Sequence, residues 1–167
     1  MNKDTVPQNY SMSLALFDLV PVLLFGAACV TLWNMTGSIL ILAGGVISFV
    51  SGALKVLWKI IVVVRKKNVW PLFIQMRIGM PAGLTAVLAG FMFSCFTRDM
   101  HAFWNAALRP WPIFFFILCM AGMATMIRCS SRLDPSEARA NWIEQSCNTM
   151  AQGAFLACML SIYLKIA

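Results

Sequence analysis

Five ionisable side chains stand inside apolar runs, where their chemistry needs a reason. Asp18 lies in "LFDLVP", Lys55 and Lys59 in "SGALKVLWK", Arg77 in "IQMRIGMP" and Glu144 in "NWIEQSCN". A charge near the middle of a bilayer costs about 2.5 to 3.5 kcal/mol on insertion scales, so five such groups are expected to face protein, water or a solute. Counted from the cytoplasmic end of each helix at about 1.5 Å per residue, all five lie roughly 9 to 15 Å deep. They form one layer, and the coincidence survives inversion because every helix is measured from the same membrane face. Lys59 is shallow enough to reach the interface with its own stem; Lys55, Arg77 and Glu144 are harder to excuse in that way.

Two stripes lead into this layer. In the last apolar run Asn141, Glu144, Asn148 and Gln152 follow Glu137 at helical spacing, within a sector about 80° wide at 100° per residue. In the second run Gly44, Gly45, Ser48, Gly52, Lys55 and Lys59 share one face, with Trp58 beside it. Small residues let a neighbouring helix approach, and the lysines then require an acceptor. Proline adds two free carbonyls: Pro21 cannot bond that of Phe17, nor Pro81 that of Arg77. A plain kink explains either proline equally well.

With all five groups ionised, two carboxylates face three cations, and the surplus favours an anionic guest or a protonated carboxylate. The expected site is a small polar cavity open to the cytoplasm, formed by Asp18, Lys55, Trp58, Lys59, Arg77, Asn141, Glu144, Asn148 and Gln152. The competing expectation is a purely structural network fastening the helices together. Catalysis is not expected. Ser51 and Lys55 imitate a Ser-Lys pair, and Asp18 and Glu144 a carboxylate pair, but neither spacing is specific. No H-E-x-x-H, G-x-S-x-G or phosphate-binding glycine loop occurs.

The helices that would carry these groups are legible from composition. Of 167 residues 60% are hydrophobic and 11% charged, and mean hydropathy is +0.79, against roughly a quarter charged in a soluble domain. The chain reads as one integral membrane domain, an all-α polytopic transmembrane bundle with five spans at about 12–33, 38–64, 69–96, 110–127 and 135–166. The first run loosely imitates a lipoprotein or signal sequence, but Gly26 and Asp18 spoil the match and a retained helix is expected. Residues 34–37 make a tight hairpin, and "TRDMHAFWNAALRPW" has the amphipathic, tryptophan-bearing character of an interfacial segment. The last span opens with Asp134 as N-cap, Pro135 at the first helical position and Glu137 at the third. Gly79 and Gly83 form a G-x-x-x-G motif marking a close crossing, within the bundle or between copies of the chain.

The formal charge of +7 does not point to nucleic acid, because the basic residues interrupt apolar runs instead of forming a stripe. They read as topology. Lys3, Arg65, Lys66, Lys67, Arg128 and Arg132 fall on one side and Arg98, Arg109 and Lys165 on the other, which places the N-terminus in the cytoplasm and the C-terminus outside. The six cysteines lack any C-x-x-C pair and behave as small hydrophobes, so neither disulfides nor zinc is expected. The single histidine, His101, excludes a pair of histidines gripping a haem. Twelve methionines read as packing filler, and no cofactor or metal is expected.

The segments "YSMSLALFDLVPVLLF", "SGALKVLWK" and "ARANWIEQSCNTMAQGAFL" resemble those of small uncharacterised multi-pass membrane proteins of anaerobic Gram-positive bacteria. The likeness covers the two ends of the chain, whose middle is shorter by about one span. It implies a bacterial cell membrane location and carries no activity; the matching positions are Asp18, Lys55, Trp58, Lys59, Asn141, Trp142, Glu144 and Asn148. The expected function is a small transporter, channel or membrane-embedded binding protein for a small polar or anionic solute. The alternative is an assembly or sensory subunit whose charges are structural. The expected partners are the lipid bilayer, the solute and a second copy of the chain.

Overall fold

The computed structural model describes residues 11–132 and 138–166, all of its regular structure helical. The expected cap at Asp134, Pro135 and Glu137, the expected start of the last span, and Lys3 lie outside these residues. Helix α1 (Met12–Phe17) starts at Ser11, whose hydroxyl accepts the Leu14 N–H at 3.2 Å. Helix α2 (Leu19–Thr36) follows after a single-residue interruption at Asp18. Pro21 explains the break, since its ring crowds the Phe17 carbonyl and it offers no N–H to bond it. Next come α3 (Ile39–Arg65), α4 (Trp70–Thr97), α5 (His101–Ala107), α6 (Pro110–Arg132) and α7 (Ala138–Ile166).

Five helices are long and apolar enough to cross a membrane: Met12–Thr36, Ile39–Arg65, Trp70–Thr97, Pro110–Cys129 and Arg139–Ile166. The chain is an all-α bundle of a multi-pass membrane kind. Two ends differ from the sequence reading. The first helix runs to Thr36 instead of 33, because Gly37 at φ +60° supplies the left-handed cap. The fourth runs to Arg132 instead of 127, since residues 128–132 contain no breaker.

The long helices pack in the order α4–α3–α2–α7–α6, with α2 central and α4 and α6 at the two ends. Helix α5 is the link between those ends. It buries Phe103 and Ala106 in a cluster with Ala28, Leu32, Ile41, Val87, Met159 and Ile162, drawn from α2, α3, α4 and α7. Phe91 of α4 lies 5.5 Å from Phe103. Helix α5 therefore lies across the row and closes one end of it, while Trp104, Leu108 and Trp111 stay exposed. Large apolar side chains such as Ile78, Leu88, Phe96, Phe116 and Leu164 also point outward. Such a surface suits hydrocarbon and would be costly in water.

The α3–α4 seam is set by small residues. A Cβ on Gly44 would stand 2.6 Å from the Gly83 carbonyl oxygen, and one on Gly83 would stand 2.7 Å from the Gly44 carbonyl oxygen. The G-x-x-x-G motif thus works inside the chain, bringing two backbones together where any side chain would hold them apart. A similar approach at Gly122 meets Ala151 and seats α6 on α7.

Candidate functional site

Close packing brings the charges together. Gly52 of α3 leaves space that Val22 of α2 fills, since a Cβ there would stand 2.5 Å from a Val22 methyl. One turn before Val22 stands Asp18, and beyond Gly52 stand Lys55 and Lys59. Both lysines reach the same carboxylate oxygen: Lys59 Nζ lies 2.6 Å and Lys55 Nζ 3.8 Å from Asp18 Oδ2. The pairs differ in exposure. The Asp18 and Lys59 side chains are 1% and 3% exposed, whereas that of Lys55 is 18% exposed. Asp18 Oδ1 is buried and makes no hydrogen bond among the described residues.

Helix α7 supplies the facing wall. Trp142 packs on Phe17 at 5.4 Å between ring centroids, which holds α7 against α1. Half-buried Glu144 is the second anion whose field acts on the Lys59 ammonium, alongside Asp18 and opposed by Lys55. Asn141 is buried beside it. The structure therefore gathers Asp18, Lys55 and Lys59 in contact, with Glu144 within electrostatic reach.

Other expected members are placed elsewhere. Arg77 is exposed, its guanidinium 5.1 Å above the Phe73 ring, and takes part in none of the ion pairs among the described residues. It stands two residues before Gly79, off the face by which that glycine docks on α3. Trp58 is buried towards α4, 5.2 Å from Phe73, and its indole N–H donates to Asn68 Oδ1 at 3.1 Å. It braces the helix carrying Lys59 against α4. Trp58→Phe removes the donor and part of the buried ring system, so a loss of more than about 1 kcal/mol is expected, the cavity adding to the lost hydrogen bond. A melting temperature in detergent equal to that of the unaltered protein would show that this bond contributes nothing.

Asn148 and Gln152 also turn away from the ion group, towards α6. Gln152 Nε2 donates to Asn148 Oδ1 at 3.4 Å and approaches Met123 Sδ at 3.8 Å. A polar residue of this helix outside the expected site is Gln145, only 2% exposed and with its Oε1 unbonded among the described residues, as is Thr149 Oγ1. Its signal was available: Asn141, Gln145 and Thr149 are spaced by four and share a face.

The removal of Arg77 changes the charge balance. Two carboxylates, Asp18 and Glu144, now stand against two ammonium groups, Lys55 and Lys59. Two hollows lie elsewhere in the molecule. One, about 300 Å³, is walled by apolar residues of α2 and α3 such as Leu23, Val30, Val46 and Phe49; the other, about 250 Å³, lies at the α2–α3 turn. No protein-family model, curated protein or solved structure matches this chain.

Proposed function

We propose that this chain is a small bacterial cell-membrane protein that binds or passes a small polar or anionic solute at the Asp18–Lys55–Lys59–Glu144 group. The observation that carries this reading is the inequality of the two lysines. One carboxylate oxygen cannot serve both ammonium groups equally: Lys59 takes it at 2.6 Å, while Lys55 stays at 3.8 Å and partly open. Lys55 is then the group with donors to spare for a guest carboxylate or carbonyl. Asp18 and Lys59 hold the field in place, and Glu144 offers an acceptor on the opposite helix. The positive-inside count supports an inward-facing N-terminus, which would open this end of the bundle to the cytoplasm.

A second reading is favoured by one observation: Asp18 and Lys59 are almost wholly buried. The group would then be a clasp between α1–α2, α3 and α7 in an assembly or sensory subunit. The two readings part on Lys55→Met and Glu144→Gln. For a solute site, both variants accumulate normally in membranes, and the thermal stabilisation given by small carboxylates, nitrate or zwitterionic amino acids disappears. For a clasp, both variants lose abundance, and exchanging Asp18 and Lys59 for one another restores part of it. A screen in which none of these solutes shifts the melting temperature would overturn the solute reading.

A further inference from the structure

The geometry points to a phospholipid site at the opposite end of the bundle, where the phosphate sits in the hollow at the start of α3 and the acyl chains lie along Leu40 and Phe93. This end is built for an anion by three independent features. Helix α3 is 27 residues long and carries no acidic residue in its first turn, so its positive end is uncompensated. The N–H groups of Ile39 and Leu40 have no backbone acceptor, since the first bonds of the helix run from Ile41 and Leu42 to the Ser38 carbonyl.

The second feature is Ser38 itself. It occupies the N-cap position, yet its hydroxyl makes no capping bond, and it is 8% exposed with no side-chain partner among the described residues. Ser38 is a mostly buried residue in the wall of the hollow whose hydroxyl leaves its own helix uncapped, and that hydroxyl is a donor held ready for a guest there.

The third is Arg98 at the end of α4, which forms another part of that wall. Its guanidinium donates to the Gly37 carbonyl at 3.3 Å and has no carboxylate partner among the described residues. Gly37 permits the approach, because a Cβ there would stand 2.6 Å from Arg98 Nη1. One guanidinium and one helix end suit one phosphodiester charge. Ile39, Leu40 and Phe93 are exposed beside it, so the apolar track begins where the anion site ends. A free phosphate would use the same donors but not that track.

Purified full-length protein in a lipid-free detergent is titrated with dihexanoyl phosphatidylglycerol, inorganic phosphate and dihexanoylglycerol, and its melting temperature followed. The phospholipid is expected to stabilise saturably, with a half-saturating concentration about tenfold higher in Arg98→Gln, the effect of losing one charge-assisted hydrogen bond. Ser38→Ala, which leaves the Arg98–Gly37 contact intact, raises it by a smaller factor and serves where Arg98→Gln fails to accumulate. An equal response to inorganic phosphate would make this a free-anion site and overturn the lipid assignment. So would an equal response to dihexanoylglycerol, or half-saturation unmoved in both variants.

Discussion

Asp18→Leu is expected to destabilise the protein by about 3–5 kcal/mol, the range for removing one partner of a buried ion pair. The cause is what remains. Lys59, with a side chain 3% exposed, and Lys55 beside it would keep two ammonium groups facing each other without the carboxylate that stands 2.6 and 3.8 Å from them. Coulomb repulsion and lost solvation then act together on the buried Lys59. Asp18→Asn, which keeps the shape and loses the charge, should cost nearly as much. The triple variant Asp18→Leu, Lys55→Met, Lys59→Met should recover most of the loss, because an apolar replacement of a whole buried pair is often neutral. Denaturant unfolding in detergent measures all three. An Asp18→Leu protein as stable as the original would show that the pair contributes nothing to the fold.

Gly83→Val should be the other severe substitution. A Cβ at this position meets Ser48 Oγ, the Gly44 carbonyl oxygen at 2.7 Å and the Ser48 N at 2.8 Å, and two of those three are backbone atoms that cannot rotate aside. The helices must separate, which costs about 1–3 kcal/mol for overpacking alone and more once the seam through Gly79, Val87 and Gly90 opens with it. Gly153→Ala is the matched control: the nearest atom to its Cβ is Leu24 Cδ1 at 3.9 Å, so there is room. Removing a helical glycine there should be neutral or stabilise by about 0.5–1 kcal/mol. Comparable melting temperatures for the two variants would deny the close crossing of α3 and α4.

Much of this architecture is legible in the residues because hydrocarbon imposes length and composition directly. All five spans lie where apolar runs and breakers put them, and Gly37 stops the first helix by a local rule. The depth argument also works for Asp18, Lys55 and Lys59: residues about equally far from one membrane face meet when their helices are neighbours. It fails for Arg77 because depth gives height and not azimuth. Which side of α4 turns inward depends on Gly79, Gly83 and Gly90 docking on α3, a tertiary choice that leaves Arg77 exposed over the Phe73 ring and out of the ion group. Asn148 and Gln152 diverge from the ion group for a related reason. Their helix lies between α2 and α6, and a stripe shared with Glu144 slides from one neighbour to the other as the helix rises. Gln145, one residue after Glu144, lies about 100° round the helix from it and so falls outside the stripe drawn through Glu144, Asn148 and Gln152.

The interruption at Asp18 has a bearing on how the chain is made. Asp18, Lys55 and Lys59 all come from the first hairpin, so these charges can pair without any contribution from α4, α6 or α7. A nascent α2–α3 pair therefore carries one carboxylate between two ammonium groups, a net charge of +1, and the balancing anion Glu144 arrives only when α7 docks Trp142 against Phe17. The last helix is thus the one that completes the charge balance of the first hairpin.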